Sequence, residues 1–313
     1  MPNFDGGHYF YTGMFPVKLE PVARADGSVT VPSHVLRETL ACLPNYSQAP
    51  GAARISPFAR CRSTHFARLA VIDEPAFNGR DPTDAIVGAL KGVDLLVHQP
   101  VDHFSRAWLL FTADFDVADG SAEARDRWAR ELWLLMEREL RSIFEQCESF
   151  EGKVNSAESF AAYVARGQIE TTMSFNDYWV DRFQAPTLSM TRLLVQGVAV
   201  LALFLVGGWL LEREFGGGWV VWVLAGLIGL AAALWSLYLL VMRSGARPFP
   251  RAPDSDLRSV LKGLYLQQRL IRFAADHQGS EPDALHAAFG RFLAETRPAN
   301  LEGPTQPPGV MRS

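Results

Sequence analysis

Apolar positions follow three rhythms along this chain, and each rhythm marks a different kind of structure. Alternation with a period of two runs through residues 8–19 (HYFYTGMFPVKL), 64–73 (THFARLAVID) and 106–116 (RAWLLFTADFD), which predicts three strands. Helical spacing predicts a segment opened by Pro32 and Ser33, with Val35, Leu36, Leu40 and Leu43 on one face. It also predicts a short helix over 83–90, reached through turn residues that include Asn78-Gly79 and Asp81-Pro82. A long helix over 122–147 carries the stripe Trp128, Leu132, Leu135, Met136, Leu140 and Ile143. A smaller helix near 156–165 leads into a last extended stretch, 168–174. The order strand, helix, strand, strand, helix, strand is two βαβ halves in tandem, so the expected fold of residues 1–185 is a ferredoxin-like βαββαβ sandwich of the α+β class.

The third rhythm is no rhythm at all. Residues 193–211 contain 19 positions whose only polar side chain is Gln196, and 219–242 contain 24 whose only polar ones are Ser236 and Tyr238. At 1.5 Å per residue, about 20 residues cross the roughly 30 Å hydrocarbon layer with every backbone hydrogen bond made internally. The prediction is a transmembrane helical hairpin, 190–243, turning at Glu212-Arg213-Glu214-Phe215-Gly216-Gly217-Gly218. Arg182 and Arg192 before the first apolar run, and Arg243, Arg247 and Arg251 after the second, resist translocation, so the expectation is an inner-membrane protein with both termini in the cytoplasm. Trp209, Trp219 and Trp222 suit the outer interface, and Gly207, Gly208, Gly226 and Gly229 are expected to let the two helices approach closely. Neither span has an ionisable residue at its centre, so the hairpin reads as an anchor, with a conducting or transporting role as the alternative.

Beyond the membrane, Asp254 or Ser255 is expected to cap a helix over 256–277. Its stripe is Leu257, Val260, Leu261, Leu264 and Ile271, and its basic face is Arg258, Lys262, Arg269 and Arg272. Gly279-Ser280 ends it, and a second helix follows through 294, so residues 254–296 form a cytoplasmic helical hairpin. Its apolar stripe is expected to pack on the N-terminal domain or on another subunit, with the anionic inner leaflet as the alternative. Four prolines in 297–313 predict a disordered tail.

Charge and cysteine narrow the function. With 30 Lys and Arg against 34 Asp and Glu, the net charge of -4 gives no attraction to nucleic acid. The partners expected are the lipid bilayer and either a protein partner or a second copy of the chain. Cys42, Cys61 and Cys147 are odd in number and far apart, which argues against a disulfide framework and fits a reducing compartment. Phosphate-loop, dinucleotide, zinc-protease and serine-hydrolase motifs are all missing from the sequence.

The most attractive polar cluster is His65, Arg68, His103 and Arg106, from the repeated signatures His65-Phe66-Ala67-Arg68 and His103-Phe104-Ser105-Arg106. Imidazole beside guanidinium suits an anionic or peroxidic substrate, provided the two signatures converge on one rim of the sheet. Asp114 and Asp116 share a face of an extended strand and offer a hard cation such as Mg²⁺ a place; the plainer role for them is to end the strand and cap the next helix. His98 reads as structural and Cys147 as an inert thiol.

Thr64-His65-Phe66-Ala67-Arg68, then Leu109-Leu110-Phe111-Thr112-Ala113-Asp114-Phe115-Asp116, then a long helix ending Ile143-Phe144-Glu145-Gln146-Cys147, resembles a bacterial group of ferredoxin-like proteins found alongside haem peroxidase or catalase-related proteins. The resemblance covers about residues 60–180. It implies a fold and a peroxidase-associated setting, and brings no reaction with it. The related dye-decolourising peroxidases carry a GxxDG motif that this chain lacks, so no cofactor is expected, with haem as the alternative. The expected function is a membrane-anchored cytoplasmic binding or assembly module linked to peroxidase or lipid-oxidation metabolism. The competing expectation is an enzyme using the His/Arg cluster.

Overall fold

The computed structural model describes residues 3–45, 55–74, 90–92, 103–171, 179 and 187–310. All but the last residue of the helix expected over 83–90 lies outside these, as do residues 172–174 of the last extended stretch, His98 and Arg182. The chain is a mixed α+β protein with an antiparallel sheet and, among the described residues, seven α-helices, two of them long and apolar. It divides into two compact units, one of residues 1–6 and 173–253, the other of residues 7–172 and 254–313.

In the α+β unit the strands are β2 (His8–Pro16), β3 (Val22–Ala23), β4 (Val29–Thr30), β5 (Thr64–Ile72), β6 (Trp108–Asp116) and β7 (Gln168–Ile169); β1 (Phe4–Asp5) belongs to the other unit. β6 pairs antiparallel with β2, from His8 opposite Asp116 to Pro16 opposite Trp108. It pairs on its other side with β5, and β7 lies against β2 at Thr12 and Gly13. The sheet order in this unit is therefore β7-β2-β6-β5.

The period-two pattern sends Tyr9, Tyr11, Phe15, Leu109, Phe111, Ala113 and Phe115 into one core. Helices α1 (Pro32–Cys42), α2 (Ala122–Phe144) and α3 (Ala157–Gly167) close that core with Leu36, with Trp128, Leu132, Met136 and Leu140, and with Phe160 and Val164. Phe115 stacks on Trp128 at a centroid distance of 4.0 Å, a contact worth about 0.5–1.5 kcal/mol beyond area burial. Ser121 caps α2 by accepting the Ala124 N–H, and a reciprocal Ser156/Ser159 capping box starts α3.

Two irregularities interrupt this pattern. Within β5, Thr64 opposes Phe115 and Phe66 opposes Asp114, leaving His65 as the extra residue of a β-bulge. Within α2, Met136 leaves the helical region (φ -147°, ψ 37°) although no Pro or Gly is near. A side chain reaches the broken ladder there: Arg60 donates to the Leu135 carbonyl at 2.9 Å and to Glu139 at 2.8 Å.

The other unit holds α4 (Met190–Phe215) and α5 (Trp219–Gly245), each long and apolar enough to cross a membrane. Gly208 and Gly229 form the close approach: a Cβ on Gly208 would lie 2.6 Å from the Ala225 Cβ, and one on Gly229 would lie 2.9 Å from the Phe204 Cβ. Gly207 and Gly226, expected at the same interface, face open space.

The C-terminal hairpin is α6 (Leu257–Asp276) and α7 (Pro282–Thr296). Asp256, and neither Asp254 nor Ser255, caps α6 by accepting the Ser259 N–H, and α7 starts after Glu281 without a side-chain cap. Residues 297–310, expected to be disordered, follow a defined path. Gln306 and Val310 are buried, and the buried Lys262 ammonium donates to the carbonyls of Thr296 and Pro304 at 2.7 and 2.9 Å. Gly309 takes φ +70° where a Cβ would strike Ile55 and Ala59, so the tail docks on the α+β domain.

Candidate functional site

His8 opens β2, Asp116 ends β6, and their register makes them cross-strand partners on the sheet face turned away from α1, α2 and α3. In regular alternation with Ala67, Leu69 and Val71, which pack against the core, His65 would share their face. The bulge releases it from that alternation, and its Nε2 lies 3.1 Å from the Asp116 Oδ2. His8 Nδ1 lies 3.6 Å from the Asp116 Oδ1, and the two imidazole rings meet edge to face at 4.9 Å. The His8 and His65 side chains are 2% and 1% exposed, and that of Asp116 is 18% exposed.

Local chemistry holds this corner in place. On the core side, Thr64 accepts the Trp128 indole N–H at 2.9 Å, fixing the residue before the bulge to α2. On the outer side, the Leu257 backbone N–H donates to the Asp116 Oδ2 at 2.8 Å, and the neighbouring Ser255 is 1% exposed. The start of α6 thus covers the carboxylate and fixes its rotamer. Two imidazole nitrogens and a carboxylate, with ligand atoms all within 4.8 Å of one another, are able to hold a cation.

The sequence-predicted cluster does not assemble. β5 and β6 run antiparallel, with Phe66 opposite Asp114 at one end and Ile72 opposite Trp108 at the other. His65 therefore sits at the Asp116 end while His103 and Arg106 precede Trp108, roughly 26 Å away for eight residues of strand at about 3.3 Å each. His103 is exposed and contacts Glu74 at 3.0 Å, and Arg106 contacts Glu148 at 3.2 Å. Arg68 is exposed on β5, beside a shallow cavity of about 270 Å³ lined by Leu40, Leu43, Pro57 and Phe58. Of the two aspartates, Asp116 joins the buried group and Asp114 does not. Neither caps α2: that role falls to Ser121, and Asp119 accepts the Ser121 N–H.

His8 is the site residue that sequence reasoning missed. A signal existed in its place at the start of the strand, but the pairing with Asp116 spans more than a hundred residues and leaves no local trace. Burial, opposed by the nearby Lys18 charge, pushes the Cys147 thiol up to about 12, so it is no nucleophile at neutral pH. No family model, curated protein or solved structure matches the chain.

Proposed function

We propose that this chain is an integral protein of the bacterial inner membrane, anchored by two spans, whose ferredoxin-like domain works at the cytoplasmic surface as a binding or assembly module. The observation that carries the reading is the make-up of the α+β unit, which combines residues 7–172 with residues 254–313. Leu257 bonds to Asp116 and Gly309 seats on Ile55 and Ala59, which supports placing the chain before and after α4 and α5 on one side of the bilayer. Two crossings satisfy that condition; one would violate it. The arginines flanking the spans then select the cytoplasmic side.

Sheet order supports the finer fold reading. Taking β2, β5, β6 and β7 as strands one to four, the order is 4-1-3-2, that of the ferredoxin-like sandwich, with β7 two residues long among the described residues. The separation of His65 from His103 and Arg106 favours a module over an enzyme built on that cluster. Peroxidase-related proteins, implied by the resemblance, and a second copy of this chain are the first partners to test.

Reporter fusions test the topology. A periplasm-active reporter inserted at Gly217 should be active and one fused after Ser313 inactive, with a cytoplasm-active reporter giving the reverse. Activity of the periplasmic reporter at both positions, or only after Ser313, would defeat the proposal.

A further inference from the structure

We propose that His8, His65 and Asp116 form a binding site for one divalent transition-metal ion of the Zn²⁺ or Fe²⁺ class. The donor set comes first in the argument. Two imidazoles with one carboxylate suit borderline ions, whereas Mg²⁺ and Ca²⁺ ask for a shell of oxygens. Asp114 and Asp116 alone would have favoured the harder ions; replacing Asp114 by two histidines changes the class of metal.

Geometry is the second part. His8 Nδ1 and Asp116 Oδ1 face each other at 3.6 Å, longer than a hydrogen bond but close to the spacing of two ligands on one ion. An ion about 2.0–2.2 Å from each donor needs donors roughly 3–3.5 Å apart. His65 Nε2 and Asp116 Oδ2 already satisfy this at 3.1 Å, and the widest pair, within 4.8 Å, must close by about an ångström. Binding would draw the donors together by rotation of the two histidine side chains.

The third part is the surrounding shell. Both histidines are almost wholly enclosed, while the partial exposure of Asp116 leaves a side from which an ion enters and a water or further ligand completes its coordination. The bulge that brings His65 to this face, and the Leu257 N–H that orients the carboxylate, are the kind of support a ligand set requires. The inference does not depend on the membrane anchor, because every residue it uses lies in the α+β unit.

Full-length protein in detergent, stripped with a chelator, would be titrated with Co²⁺ alone and then with Zn²⁺ alone. One Co²⁺ per chain should bind with visible d–d absorption, one equivalent of Zn²⁺ should displace it, and either ion should raise the melting temperature. His65→Gln and Asp116→Asn should each weaken binding at least tenfold, while Asp114→Asn and His103→Ala leave stoichiometry and affinity unchanged. Circular dichroism of each stripped variant confirms folding. Should His65→Gln fail to fold, His8→Gln, which leaves the bulge intact, provides the same comparison. Wild-type protein that is folded yet binds neither ion stoichiometrically would overturn the proposal. So would binding that survives in both His8→Gln and His65→Gln, since that places the ion elsewhere.

Discussion

His65 owes its position to one extra residue in β5, and that dependence explains why the site was only half legible in the sequence. The signatures around His65 and His103 look alike as strings, and both carry an arginine three positions on. Antiparallel pairing then sends them to opposite ends of the sheet. Asp116 is legible from its residue type and place, His65 from its motif, and His8 from neither, because only register makes it their neighbour. Cys147 shows the opposite case, a residue whose chemistry follows from apolar surroundings already visible in the chain. Its folded pKa of about 12 lies above the ordinary thiol value near 9, so the folded state holds the proton more tightly than the unfolded one. The stabilisation is fully present below about pH 9 and is lost as pH climbs toward 12. Thiol alkylation followed by mass spectrometry should label the exposed Cys42 and leave Cys147 unlabelled up to about pH 11. Labelling of Cys147 near pH 9, with circular dichroism unchanged, would contradict its enclosure.

At the level of elements, periodicity performed well wherever one face of a segment is buried. The starts of β2, β5 and α2 fall where alternation and helical spacing place them, because the same apolar positions that set the pattern fill the core. What periodicity lacks is any term for a partner that acts from elsewhere. Nothing in Leu134-Leu135-Met136 signals a break; the kink accompanies an Arg60 that reaches across from the 3₁₀ turn Pro57–Arg60. The two spans were legible as spans, but not the faces they share. Gly208 and Gly229 sit in the crossing while Gly207 and Gly226 do not, a distinction that depends on helix rotation. Gly208→Leu should therefore destabilise the α4–α5 hairpin by about 1–3 kcal/mol through overpacking, and Gly207→Leu should be close to neutral. Denaturation of the full-length protein in mixed micelles measures both; equal effects would mean that the helices cross on different faces.

For the whole molecule, the sequence suggests four segments and the structure gathers them into two units. Residues 254–296 were expected as a separate hairpin, with the N-terminal domain one of its candidate partners. They join that domain through Leu257, and the tail follows through Gln306, Val310 and Gly309. Prolines argued for disorder in the tail, yet proline also lowers the entropy lost on ordering, and Lys262 supplies two hydrogen bonds that fix the turn. Such closure requires contacts between residues up to some 250 positions apart, which no local pattern records. On the proposed two-span reading, both ends of the α4–α5 pair return to the same side of the membrane. Their mid-chain position argues against a cleaved leader, and their exposed Leu, Val and Trp side chains argue against a buried core pair. The most direct test is alkaline carbonate extraction of membranes from cells making the full-length chain. The protein should stay in the membrane pellet and enter solution only with detergent; its release into the carbonate supernatant would contradict the two-span anchor.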